Sequence, residues 1–386
     1  MLLDQKTFYP NEKFLNIKKE VKDCFISKLN LTNYRNYKYY GNEFPNGAIV
    51  ILGNNGIGKT NILEAISMMQ PGRGIRSVPL KEMVNNKSDS FGINIKFKKD
   101  FDEHIFGTSY NKHIDKVRKV KMDGDLISPL TLTKFLGIIS LTPLMDKIFI
   151  ESPGSRRKFI DKITWMYVSQ HASNVRKYEK LMRERNILLK DQVIDNKWFK
   201  NLEEQIVNFG LQIVIDRNKV FSLLREEIQN TSGHFPKASI SIRGELEKNF
   251  SKYNNFNSLK ENYLKYLFDS RKTDYFKGGT SYGPHRSDLE VVYDHKNLFA
   301  QQCSTGEQKS LLISIILSIC KTFKTHTCFS PILLLDEVFA HLDINKKRAL
   351  SLEIENLKIQ AFMTGLEESD FMTFNKKSYI INLNHK

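Results

Sequence analysis

The sequence predicts an α/β fold in two parts: a head that combines buried and alternating strands, and a helical second domain. Three observations predict it. A short apolar strand runs straight into a Gly-rich loop and a helix near residue 50, and a second apolar strand near residue 335 ends in two carboxylates. Between them, Ser155 to Phe209 contains neither Gly nor Pro, as a set of long helices requires.

In chain order, residues 1–22 show no periodicity and read as a disordered extension. Phe25 to Leu31 alternates like a strand. Ala48-Ile49-Val50-Ile51-Leu52 is continuously apolar, the pattern of a strand buried on both faces. A helix follows, with Ile62, Leu63, Ala65 and Ile66 on its apolar side. Phe91, Ile93, Ile95 and Phe97 alternate, and Val117 to Met122 ends in the turn pair Asp123-Gly124, which together predict an antiparallel β-subsheet. Leu202, Ile206, Phe209 and Ile213 keep helical spacing and continue through Val220 and Leu224. Strand alternation returns at Ile240 and Ile242 and at Leu289–Tyr293. The last third reads as helix (307–320), strand (332–335), helix (346–354), strand (360–364) and strand (379–383). The expected domains are therefore 23–153 as the N-terminal half of the head, 154–275 as a helical arm with some strand, and 276–386 as the C-terminal half of the head.

The 386 residues carry 59 Lys and Arg against 43 Asp and Glu, a net charge of +16, with 40% apolar residues. Such a balance points to an anionic polymer as partner. The four cysteines, Cys24, Cys303, Cys320 and Cys328, form no C-x-x-C pair and read as reduced thiols. No signal-peptide pattern opens the sequence, and the apolar run Leu311–Ile319 is too short to span a bilayer. A cytoplasmic protein without membrane attachment is expected.

Gly53-Asn54-Asn55-Gly56-Ile57-Gly58-Lys59-Thr60 fits G-x-x-x-x-G-K-[ST] in its required place between strand and helix. The glycines let successive N–H groups turn toward phosphate oxygens, and the helix N-terminus adds its dipole. Lys59 is placed to reach the outer phosphates and Thr60 to ligate Mg²⁺. Asp336, at the end of the strand Ile332–Leu335, is the second candidate Mg²⁺ ligand, and Glu337 the candidate that polarises the attacking water. Ser304-Thr305-Gly306-Glu307-Gln308 stands at the start of a long apolar helix. By itself it fits a capping box; in order before the Asp-Glu strand, it also fits a second phosphate site.

Together these segments resemble an ABC-type ATPase head, with Ser304, Gly306 and Gln308 in the signature and Ala340–Asp343 in the loop that follows the carboxylates. About 240 residues separate loop and signature, as in the group of SMC- and RecF-like ATPases. Long coiled-coil heptads are absent, which leaves the RecF family. Arg35 lies in Asn33-Tyr34-Arg35-Asn36-Tyr37, similar to that family's F-R-N segment. Gly72–Ser77, Ser155–Asp161 and Tyr282–Asp288 resemble its G-R-x-x-R-S, R-R-x-F-L-D and G-P-H-R-D-D segments. No Gln stands near Leu141-Thr142-Pro143, and Thr364 occupies the place of a switch His.

The resemblance implies ATP and Mg²⁺ as cofactors and a weak ATPase used as a switch. ATP would be shared in a homodimer between the loop of one copy, with Arg35, and Ser304, Gly306, Gln308 and Asp343 of another. It further implies ATP-dependent binding of DNA at single-strand/double-strand junctions, with RecR and RecO as partners in loading RecA, near the nucleoid. Arg73, Arg76, Arg156 and Arg157 are candidate DNA contacts, with weaker candidates at Lys116, Arg118, Lys119 and Lys121 and from Arg176 to Arg185. The alternatives are an SMC-like DNA tether and, disfavoured by motif spacing and charge, a transporter-type ATPase subunit.

Overall fold

The structure, a computed structural model, describes residues 22–231, 233–253, 255–327, 329–374 and 378–385. The expected extension at 1–22 lies outside the described residues apart from Lys22, which bridges to Phe329. Two compact units emerge. The head unit runs up to Lys147, takes in Glu227–Ala238 and resumes at Cys303; the arm unit comprises Ile148–Glu226 and Ser239–Gln302. Residues 276–302, expected in the head, thus cluster with the arm.

The head opens with β1 (Cys24–Tyr34), β2 (Tyr37–Glu43), β3 (Ala48–Leu52) and α1 (Lys59–Ser67), then β4 (Ser90–Lys99), β5 (Asp102–Asn111), β6 (Lys119–Met122), β7 (Asp125–Leu126) and β8 (Ile138–Leu141). The arm contributes α2 (Pro153–Tyr167), α3 (His171–Lys190), α4 (Asn196–Asn230), β9 (Ala238–Arg243), α5 (Glu245–Lys252), α6 (Phe256–Asp269), α7 (Arg271–Lys277), β10 (Asp288–Tyr293) and β11 (Leu298–Phe299). The head closes with α8 (Thr305–Thr327), β12 (Ile332–Leu335), α9 (Ile344–Leu357), β13 (Gln360–Gly365) and β14 (Tyr379–Asn382).

Among the described residues the head has a five-stranded sheet of order β14-β3-β13-β12-β8, parallel at every pairing. Its inner strands β3 and β12 are buried almost along their length, which is why they read as unbroken apolar runs. Parallel pairing brings the carboxyl ends of β3, β12 and β13 to one edge, where ligands bind in open parallel sheets. The second sheet is antiparallel, β2-β1-β4-β5-β6-β7, and alternates buried with outward residues, as in Phe91, Ile93, Ile95 and Phe97. One apolar core joins both sheets to α1, through Ile49, Ile51, Ile62, Leu63, Ile95, Leu334 and Phe362.

The arm has its own core, where Tyr178, Leu202, Ile206, Leu211, Leu259, Tyr263 and Leu267 pack α3, α4 and α6 together. Strands β11-β10-β9 form a small sheet, with β10 against α2. Among the described residues no helix is long and apolar enough to cross a membrane. Cys24, Cys303 and Cys320 are buried and outside any disulfide, and burial raises Cys24 to about 11. Cys328 lies outside the described residues.

Candidate functional site

The Gly-rich loop leaves β3 at its carboxyl end and enters α1 at Lys59. Gly56 and Gly58 adopt φ of +81° and +117°, backbone that only glycine holds without strain. No side chain caps the first turn of α1, so its leading N–H groups remain available to a ligand. Lys59 is 4% exposed, and its Nζ donates to the carbonyls of Gly53 (2.6 Å) and Asn54 (3.2 Å). Burial lowers the Lys59 pKa, while the fields of Glu337 and Asp336 pull it back up.

Asp336 follows β12 and is buried. Its Oδ1 accepts the Thr60 hydroxyl at 2.9 Å and the Thr364 hydroxyl at 2.8 Å. Burial pushes its carboxyl above the ordinary value, against the pull of those two hydroxyls. Glu337 sits at φ +53°, a sparsely populated conformation for a non-Gly residue. Its N–H donates to Thr364 Oγ1 at 2.9 Å. Thr364, fully buried at the end of β13, therefore fixes both carboxylate residues at once. The sequence left this residue without a role, because a Thr inside an apolar strand carries no signal of what it faces.

The structure thus brings Gly53–Thr60, Asp336 and Glu337 together at one sheet edge, as expected. Other candidates stand differently. Arg35 is held by Glu64, its Nε and Nη2 donating to the two carboxylate oxygens at 2.8 Å each, and Nη1 donates to the Glu82 carbonyl at 3.0 Å. The Glu64 hydrogen bonds raise the Arg35 pKa. Arg35 is thereby committed to a protein carboxylate. Arg76 donates to Asn61 Oδ1 at 2.8 Å and stands 3.7 Å from Glu64, and Arg73 is exposed.

Ser304 and Glu307 form the capping box: Ser304 N–H donates to Glu307 at 3.0 Å, and Glu307 N–H to Ser304 Oγ at 3.4 Å. Ser304, Thr305 and Gly306 nonetheless remain exposed. Gln308 differs from the expectation; it is buried, and its Nε2 donates to the Cys303 carbonyl at 2.9 Å. Asp343 is exposed and caps α9 by accepting Lys346 N–H at 2.9 Å, a bond that lowers its pKa.

Three basic residues expected at a DNA surface are buried and paired. Arg156 is 9% exposed, clamped to Asp288 by two bonds of 2.6 and 2.7 Å and bonded to the Phe149 and Glu151 carbonyls. Arg118 donates to the carbonyls of Met68 and Gln70 after α1, and burial lowers it to about 10. Arg185 lies within the arm core. Arg157, half-buried, donates to the Ser287 carbonyl at 2.9 Å. The arginines of Ser155–Asp161 therefore fasten α2 to the start of β10, because burying a guanidinium demands full pairing.

Fold and site define an ABC-type P-loop head with an antiparallel subsheet and a helical second unit. A family model, the RecF/RecN/SMC N terminal domain, matches residues 25–386. The chain is 36% identical over 363 residues to the DNA replication and repair protein RecF of Rickettsia bellii, covering 94% of this chain and all of that one. The Rickettsia typhi protein of the same name is 36% identical over 367 residues, with 94% and 100% covered. Among solved structures, the recombination mediator protein RecF in complex with ATPrS superposes with a TM-score of 0.80 at 24% identity, covering 91% of this chain and 95% of that one. The Smc head domain of Pyrococcus furiosus, bound to the C-terminal domain of ScpA, reaches 0.52 at 18% identity, with 93% of each covered. The chain belongs to the RecF family.

Proposed function

We propose that this protein is a DNA-binding ATPase of replication and recombinational repair, in which ATP closes two copies of the chain around shared nucleotide. The observation that carries the reading is the junction at Asp336, where Thr60 of the loop and Thr364 of β13 meet one carboxylate oxygen beside the buried Lys59. The donor set fits a triphosphate with a small divalent cation. A buried amine bonded to the Gly53 and Asn54 carbonyls and the uncapped N-terminus of α1 suit phosphate oxygens. One carboxylate with one hydroxyl suits Mg²⁺, which takes few protein ligands and completes its shell from phosphate and water. The cation would neutralise charge on the transferred phosphate; Glu337 would accept a hydrogen bond from the attacking water and orient it.

The exposed Ser304–Gly306 turn offers a helix N-terminus to nucleotide held by a second copy, and Asp343 stands exposed in the loop after the carboxylates. The relatives' name supports a role in replication and repair, and the RecFOR setting of the structural neighbour supports RecR and RecO as partners that help place RecA on single-stranded DNA. DNA at single-strand/double-strand junctions is the proposed substrate, in a cytoplasmic, nucleoid-associated protein. Among the basic candidates, the exposed Arg73, Lys116, Lys121, Lys180 and Arg183 present their charges to solvent and suit phosphate.

The test is to size the protein with and without ATP, using wild type and Glu337→Gln. We expect ATP to produce a dimer that persists in the variant while hydrolysis falls, and ATP to strengthen binding to a gapped duplex. A chain that stays monomeric in both forms with saturating ATP would overturn the composite-site reading.

A further inference from the structure

The Gly53–Thr60 loop is gripped from outside its own motif, by two asparagines on different segments. Asn36, in the turn between β1 and β2, donates from Nδ2 to the Ile57 carbonyl at 2.7 Å, and its Oδ1 accepts Asn61 Nδ2 of α1 at 2.7 Å. It thereby ties the loop to the first turn of the helix that follows. The Asn36 amide and the Tyr37 hydroxyl also roof Gly58 so closely that a Cβ there would collide with both. On the other side, Asn384 Oδ1 accepts the Asn54 N–H at 3.0 Å, a bond that spans 330 residues of sequence. Asn384 is fixed in turn, because its own N–H donates to Asn382 Oδ1 at 3.0 Å at the end of β14, and Leu383 is buried in the head core.

These bonds take up four backbone polar groups of the loop. The Asn54 N–H goes to Asn384, the Gly53 and Asn54 carbonyls go to Lys59, and the Ile57 carbonyl goes to Asn36. A loop with three glycines in eight residues has much conformational freedom to lose when it closes on a ligand. Contacts that hold it closed beforehand remove that loss from the binding free energy.

We propose that Asn36 and Asn384 are positioning residues that hold the loop in its phosphate-receiving curvature, so that nucleotide affinity depends on two side-chain amides outside the motif. The proposal rests on the reading of the loop as an ATP site and deepens it. Each amide is exposed; Asn384 acts on loop backbone, and Asn36 on loop backbone and on the Asn61 side chain. Removing either acts on the binding of phosphate-bearing nucleotide, with the fold and the reacting carboxylates left in place.

The experiment is calorimetric titration of the full chain with ATP and Mg²⁺ for wild type, Asn36→Ala and Asn384→Leu. The melting temperature without nucleotide and steady-state hydrolysis are measured on the same samples. Each lost hydrogen bond should weaken affinity about two- to tenfold. KM should rise in step while kcat and the ligand-free melting temperature stay at wild-type values. Unchanged affinity in both variants overturns the proposal, and so does a joint fall of affinity, kcat and melting temperature, which would mark general structural damage. Wild-type protein that binds no ATP would overturn the nucleotide reading itself, and the positioning role with it.

Discussion

Arg185 in the arm and Lys59 in the head are both buried cations, 0% and 4% exposed, but their surroundings differ in kind. Arg185 spends every arm of its guanidinium. Nε donates to Glu203 at 3.0 Å, Nη1 to Asp274 at 2.8 Å and to Thr280 at 2.6 Å, and Nη2 to the Leu267 carbonyl at 2.7 Å. Its two carboxylates are shared further, Glu203 with Arg271 and Asp274 with Ser270 and Ser281. The cluster is closed. Among the described residues Lys59 has only carbonyl oxygens as hydrogen-bond acceptors, and Asp336 and Glu337 reach it through their fields. A buried charge whose carboxylates are all within hydrogen-bond reach stabilises one structure; a buried charge left with weak acceptors is poised for an anion from outside.

The contrast breaks most visibly when each cation is removed. Arg185→Ala leaves Glu203 to Arg271 but leaves Asp274 without a cation in the arm core, held by Ser270 and Ser281. Breaking a buried ion pair on one side destabilises by about 3–5 kcal/mol. That is a large part of the total stability of a domain, so chemical denaturation should show the arm unfolding early or aggregating. A variant with near-wild-type stability would show that the cluster is solvated in solution.

Lys59→Ala should do the reverse. The folded protein gives up a desolvated cation with no carboxylate bonded to it, so denaturation should be nearly unchanged. ATP affinity should drop by about 100-fold, the scale of losing charge-assisted hydrogen bonds to phosphate. Equal ATP affinity in wild type and variant would remove Gly53–Thr60 as the site.

How much of this was legible in the sequence follows the same division. The loop strand at 48–52 and the carboxylate strand at 332–335 were readable to the residue, because a strand buried on both faces leaves a solid apolar block. The subsheet was recognisable from Phe91 to Phe97. β5 was not, since Asp102, Glu103 and His104 open it and its buried face is only Phe106 and Thr108. β8 is four residues long and abuts Thr142-Pro143, which reads as a loop. In the arm, α5 to α7 are short helices whose few apolar residues give little periodicity. At the site, motif spacing located Lys59, Thr60, Asp336 and Glu337, but the bonds of Thr364, Asn36 and Asn384 join segments far apart in sequence and leave no local pattern. The arginines misled for the opposite reason: Arg156, Arg118 and Arg185 look like solvated cations, and only their partners show otherwise.

A second closed cluster in the arm allows a finer test, by pH. His171 is fully buried, with Nε2 2.9 Å from Asp161 and Nδ1 3.1 Å from Asp216, and Arg217 donates to both oxygens of Asp161 at 2.8 and 3.0 Å. Burial alone would lower the histidine, but the two carboxylates outweigh it and its pKa is raised. Burial likewise pushes Asp161 up, yet Arg217 and His171 together bring it down to about 2. The signs separate the two contributions. A pKa raised on folding stabilises below the unfolded value, about 6.5 for His, and that contribution fades as pH rises through the folded value. Asp161 stabilises above the unfolded carboxylate value, about 3.9, and its part is lost only as pH falls toward 2. Between neutral and alkaline pH the His171 contribution alone should therefore move. We expect the difference in unfolding free energy between wild type and His171→Asn to be largest near pH 6. It should shrink as pH rises through the folded pKa. Measured by urea denaturation, a gap that is constant across that range would mean the histidine is neutral in the folded arm, with Asp161 held by Arg217 and Asp216 by Gln212.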